Sequence, residues 1–184
     1  MRPRTILIDG YNIIRNTPAL QIAERRGLES GRDALVRLVA ARYAHTSDRV
    51  IVVFDGKGTT ESAHPLRCGV GSRVIYTRAG ETADTAIVRL SEEAVAAGRD
   101  PIVATDDRAL REAATSHGAA SATVREMARV LNAPPRHLEH RARHHAVVRR
   151  LLEEGDEHEN AHPRKGNPRR APKPRRGRPR GPGW

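Results

Sequence analysis

Cysteine is almost missing from this 184-residue chain, and its single copy, Cys68, rules out an intrachain disulfide. A domain without such staples suits the reducing cytoplasm, which is the expected compartment. Cys68 itself sits in a Gly-rich stretch with no evident activating partner. Aromatic side chains make up only 3% of the chain, one Phe, three Tyr and one Trp. Base stacking is therefore a weak first expectation for any nucleic-acid contact, and backbone contacts a stronger one. No stretch approaches the ~18 apolar residues of a membrane helix, and the opening MRPRTILID is too poor in apolar residues for a signal h-region. Nucleotide-cofactor strings are missing as well. No Walker A pattern occurs, and the GVGS of residues 69–72 has the wrong spacing for a dinucleotide fingerprint and leads into a strand-like run.

What is present is a pattern of short apolar runs that close on aspartate. ILID ends at Asp9, VIVVFD at Asp55, and PIVATDD at Asp106 and Asp107. Runs of this length between helix-like segments read as buried strands of a parallel sheet. The carboxyl ends of such strands share one edge, where ligand sites form. Two unit negative charges ~4 Å apart repel by about 4 kcal/mol at an effective dielectric near 20. A cluster of them needs protonation, separation or a cation, and a divalent metal is the simplest remedy. A structural reading stands beside this one, because Asp is a common N-cap at strand-to-helix junctions. In ETADTAIVRL (residues 81–90), Thr82 can cap a helix whose first turn holds Asp84, a position the macrodipole alone would favour.

Four strings, LIDGYNIIR (7–15), VVFDG (52–56), ETAD (81–84) and ATDDRAL (104–110), together resemble the YacP-like NYN domains, a family of the PIN-like nucleases, over about residues 4–131. The resemblance implies a three-layer α/β PIN-like domain with a mainly parallel sheet. It also implies a metal-dependent endoribonuclease using Mg²⁺ or Mn²⁺, with its acidic centre on Asp9, Asp55, Asp84 and Asp107 and with Asn12 as a polar companion. Thr105 and Asp107 match a T-x-D pattern, which makes Asp107 the expected ligand and leaves Asp106 as the expected N-cap of the helix carrying Leu110. The alternative role for Asn12 is a turn residue capping a helix at Ile13. A haloacid dehalogenase-type phosphatase would want a second Asp at position 11, which is Tyr11.

Between the motifs, a helix is expected from Ser30, with Leu35, Leu38, Val39 and Tyr43 inward and Arg32, Arg37 and Arg42 leaning away. A further strand is expected in SRVIYTR, a helix over about 83–97 stopped by Gly98, and a capping box in TVRE, residues 123–126. Residues 56–71 read as a long loop beside the acidic centre, offering Lys57, His64 and Arg67 to phosphates.

Three regions are expected: a nuclease domain over 1–132, a basic helix over 133–155 and a disordered Arg/Pro/Gly-rich tail over 156–184. His137, His140 and His144 have metal-compatible spacing, yet they alternate with Arg141, Arg143, Arg149 and Arg150, which favours a solvated, RNA-facing surface. From residue 160 onward there are nine basic residues, Arg169, Arg170, Arg175 and Arg176 among them, and no acidic one. That leaves 24 Lys and Arg against all 22 acidic residues in the rest of the chain, so the tail supplies +9 of the net +11. Such a segment binds nucleic acid electrostatically, ribosomal RNA and the ribosome included, or merely solubilises the chain. A second class of function follows, a non-catalytic RNA-binding or ribosome-associated protein acting through its tail. Truncation before Asn160 is expected to leave the melting temperature nearly unchanged while RNA affinity falls. If the tail neutralises about four phosphates of a single strand, the slope of log affinity against log salt becomes shallower by roughly 3. Binding across a salt series for both chains measures it, and an unchanged slope identifies a solubiliser.

Overall fold

The computed structural model describes residues 3–133, and the alternation of side chains along its strands decides which layer each residue joins. In β1 (Arg4–Asp9), Ile6 and Ile8 join one apolar cluster while Leu7 joins a second on the other face. The same split recurs in β2 (Arg49–Gly58), where Val50, Val52 and Phe54 oppose Ile51 and Val53. Both faces must then be covered. Helices α1 (Gly10–Arg15), α2 (Pro18–Glu24), α3 (Leu28–Tyr43) and α6 (Val124–Asn132) cover the first. Helices α4 (Ala83–Ala96) and α5 (Arg108–Ser116) cover the second. The result is a three-layer α/β domain. With β3 (Ser62–Pro65), β4 (Arg73–Arg78), β5 (Asp100–Ala104) and β6 (Ala120–Ala122), the strands form one six-stranded sheet of order β3-β4-β2-β1-β5-β6. All pairs are parallel except β3 with β4. Central β1 pairs with β2 on one side and β5 on the other, so the direction of winding reverses beside it, and a crevice opens at its carboxyl end. Among the described residues, no helix is long and apolar enough to cross a membrane.

Several expectations are corrected. Helix α3 starts at Leu28 behind Gly27, with Ser30 inside it, and two short helices precede it. The supposed loop 56–71 includes the end of β2 and all of β3, which folds back on β4. Arg42 does not lean away. It is buried, with Nε donating to the Val130 carbonyl oxygen at 2.8 Å and its guanidinium 5.9 Å from the centroid of the Tyr43 ring. Thr82 does cap α4, and Thr123 and Glu126 do form the capping box of α6. The basic helix over 133–155 and the tail, with the histidines and arginines named on them, lie outside the described residues apart from residue 133.

Two Asp-Gly pairs owe their glycines to close packing. A Cβ on Gly10 would stand 2.2 Å from the Phe54 ring, and one on Gly56 would stand 1.9 Å from the Thr77 carbonyl oxygen. The ladder between β2 and β4 shifts register between Phe54 and Gly58, so Gly56 lets the chain hug β4 while Asp55 leaves the regular pairing. Gly56→Ala is accordingly expected to cost about 1–3 kcal/mol or more. At Gly58 a Cβ would approach no atom nearer than 3.4 Å, and Gly58→Ala should stay within roughly 0.5 kcal/mol. Urea denaturation of both variants tests the ranking, and equal losses would contradict the close approach at Gly56.

A candidate acidic active site

At the carboxyl edge of the sheet the strands hand over to helices, and the first polar side chains past the core meet there. Asp9 closes β1 and caps α1, its Oδ1 accepting from the Asn12 backbone N–H at 3.1 Å. Its other oxygen accepts from Thr105 Oγ1 at 3.3 Å. Thr105, fully buried just past β5, also accepts from the Asp107 N–H at 3.1 Å, so one hydroxyl ties Asp9 to the turn carrying Asp107. Asp107 then caps α5, accepting from Leu110 N–H at 2.8 Å. The cap of this helix is Asp107, and not Asp106 as expected from sequence. Asp106 instead accepts from Val124 N–H at 2.9 Å, at the start of α6. The two neighbours diverge, as extended backbone requires.

Asp55 reaches across to the opposite helical layer. Its Oδ1 accepts from Ala83 N–H at 2.8 Å, the first residue of α4, and Asp84 follows in the same first turn. Asn12 lies within α1 and does not cap it. Its side-chain oxygen accepts from the Asp106 N–H at 3.1 Å, joining the β1–α1 corner to the β5–α5 corner. All five residues expected at the acidic centre are thus anchored at one edge by four elements and their junctions.

The electrostatics agree with that convergence. Asp9 is only 8% exposed. Burial pushes its carboxyl from the ordinary 3.8 up to about 6, opposed by the Asn12 N–H and Thr105 bonds and reinforced by the charges of Asp84 and Asp55. Burial also raises Asp84, with Asp107 and Asp55 adding to the shift. Asp55, Asp84 and Asp107 face solvent and can be reached by a substrate. Among the described residues, no three His, Cys, Asp or Glu side chains form a ready-made metal cage.

The basic residues named from sequence divide. Lys57 lines a cavity of about 620 Å³ whose wall includes Asp55. Arg67 does not join it, because β3 runs back antiparallel along β4 and carries the chain to the opposite edge of the sheet before Arg67 is reached. Arg141, Arg149, Arg169, Arg170, Arg175 and Arg176 lie outside the described residues. Sequence reasoning missed Arg15, Arg32 and Tyr76, which line the same cavity. For Arg32 the signal was misleading, since helical periodicity put it on the solvent face.

Comparison with known proteins gives one consistent result. The family model described as YacP-like NYN domain matches residues 6–162, well past the stretch over which the motifs were recognised. The Bacillus subtilis (strain 168) protein described as "Uncharacterized protein YacP" is 33% identical over 141 residues, covering 75% of this chain and 81% of the relative. The crystal structure of a mutant of Rae1 (YacP) from Bacillus subtilis superposes with a TM-score of 0.61 at 33% identity, covering 77% of this chain and 82% of that one. A second crystal structure of Rae1 (YacP) gives the same TM-score of 0.61 at 29% identity, covering 85% and 95%. With motif order, fold and both kinds of likeness in agreement, the chain belongs to the YacP-like NYN domain family, whose domain is nuclease-like.

Proposed function

We propose that the protein is a metal-dependent endoribonuclease that hydrolyses RNA phosphodiester bonds in RNA decay or processing. The observation that carries this reading is the gathering of Asp9, Asp55, Asp84 and Asp107 at the winding reversal of the sheet, three of them solvent-facing. The donor set fits Mg²⁺ or Mn²⁺. All four groups are hard oxygen donors, and Mg²⁺ retains several waters and needs only one or two carboxylates, so an open acidic edge suits it better than a closed cage. When bound, the cation supplies Lewis-acid stabilisation of charge on the scissile phosphate and eases ionisation of the attacking water. Asp9, Asp55, Asp84 and Asp107 are the residues that would hold it.

The chain's own groups do the rest. The N–H bonds from Asn12, Ala83 and Leu110 hold three carboxylates in place before substrate arrives, so little reorganisation is needed. The Asn12 side-chain oxygen is occupied by the Asp106 N–H, which leaves its Nδ2 as the donor for a phosphate oxygen. Lys57, two residues beyond Asp55, draws the RNA backbone toward the acids.

Asp9→Asn or Asp107→Asn should lower metal-dependent cleavage by on the order of 100-fold or more while preserving the fold, because Asn is as good an N-cap as Asp. Asp106→Asn should be milder. Cleavage of a labelled RNA with Mg²⁺, Mn²⁺ or EDTA decides it, and wild-type rates in both folded variants would sink the assignment. Binding without any cleavage in the wild type would favour the non-catalytic RNA-binding reading.

A pH dependence follows from Asp9. Its folded pKa lies above its unfolded one, so its contribution to stability is full below about 3.8 and is lost as pH rises through about 6. The shift corresponds to at most ~3 kcal/mol. In EDTA, the stability of Asp9→Asn relative to wild type should therefore increase between pH 4 and 6.5 and level off above. Urea titrations across that range measure it, and a difference that stays flat with pH would contradict the strained carboxyl.

A further inference from the structure

The cavity beside Asp55 has a wall that the acidic centre does not use. Tyr11 of α1 and Tyr76 of β4 line it, and the buried Phe54 of β2 packs behind them, so three of the five aromatic residues of the chain are pooled in one cluster. Tyr11 stands edge-on to Phe54 with ring centroids 5.1 Å apart, and Phe54 stacks with Tyr76 at 5.6 Å. The Arg32 guanidinium lies 5.3, 5.6 and 5.2 Å from the centroids of Tyr11, Phe54 and Tyr76. Its hydrogen bonds go to the Tyr11 hydroxyl, 2.8 Å from Nε, and not to a carboxylate. A partly buried guanidinium is thus held among aromatic rings in the lining of a cavity of about 620 Å³, which is within the range of small-ligand sites.

We propose that this cavity takes one unpaired nucleotide of the RNA next to the scissile phosphate, with its base laid on the Arg32–Tyr76 wall and its phosphate met by Lys57. The inference rests on the nuclease reading for the identity of the strand, and deepens it. Flat guanidinium and ring faces accept any base by stacking, whereas a phosphate wants convergent donors. Lys57 and Arg15 also line the cavity and supply cations for the backbone, Arg15 from beside the Tyr11 ring, 5.2 Å from its centroid. A base inside a duplex cannot reach such a wall. The pocket therefore selects single strands and sets the register of cleavage, and the few aromatic residues of the chain serve stacking because they are pooled at one place.

The test uses the full chain in EDTA with single-stranded hexaribonucleotides, each carrying 2-aminopurine at a different position. Stacking on Tyr76 and Arg32 should quench fluorescence strongly at one position only, and a duplex of the same sequence should not compete. Tyr76→Leu and Arg32→Lys should each weaken binding roughly tenfold. Arg32→Lys, at a position outside the buried core, keeps the test valid should Tyr76→Leu fail to fold. Equal quenching at every position, or unchanged affinity in Arg32→Lys, overturns the proposal. Cleavage with Mg²⁺ is followed in parallel. Position-specific quenching without cleavage retains the pocket and removes the nuclease reading, while cleavage without such quenching does the reverse.

Discussion

Like charges do not gather at one edge of a sheet unless something holds them, and in this protein the holders are backbone N–H groups. Asp9, Asp55 and Asp107 each accept from an N–H at or near the start of a helix, α1, α4 and α5 respectively. Those N–H groups are the unpaired donors of a first helical turn, and for the longer α4 and α5 the positive end of the macrodipole adds to the effect. The hold is incomplete. Asp9 remains hard to ionise in its buried place, and Asp84 is raised beside it. An acidic centre that is positioned by the fold but not neutralised by it is suited to a cation arriving with the substrate.

The same geometry removes an apparent choice. An aspartate at a strand-to-helix junction can be read as a helix cap or as a functional group, and here Asp9 and Asp107 are both. Capping occupies one carboxylate oxygen and orients the other. Packing then has to admit the strand ends closely enough for the acids to meet. Gly10 and Gly56 provide this by leaving room for Phe54 and for the Thr77 carbonyl. The Phe54 that presses on Gly10 also carries the aromatic wall of the neighbouring cavity, so the acidic edge and the stacking wall share one piece of core.

Asp9, Asp55 and the Asp106–Asp107 pair were legible in the sequence because their signal is local, an apolar run of strand length followed by Asp, whereas Asp84 was marked by the ETAD string and its place in the first turn behind Thr82. The caps at Thr82 and Thr123 were legible for the same reason. What escaped was set by partners distant in sequence. Arg42 reads as a solvent-facing residue until the Val130 carbonyl, 88 residues on, draws it inward. Arg32 reads likewise until three rings from other elements surround it. Strands β3 and β6, with four and three residues, are too short to show a period. The exchange of roles between Asp106 and Asp107 is a shift of one residue in where α5 begins, which depends on Val124 taking the Asp106 carboxylate. At α3, cap chemistry pointed to Ser30, but the helix starts behind Gly27 with no side-chain cap bond.

The claim on which the rest depends is that Asp9 sits among unneutralised carboxylates that a divalent cation relieves. A carbon-detected NMR titration of the aspartate carboxyl groups of the full chain, in EDTA and again in Mg²⁺, tests this directly. The account requires the Asp9 midpoint near 6 without metal, and a fall toward the ordinary carboxylate range when Mg²⁺ is present. A midpoint near 4 in EDTA, or one that Mg²⁺ leaves unmoved, would contradict it.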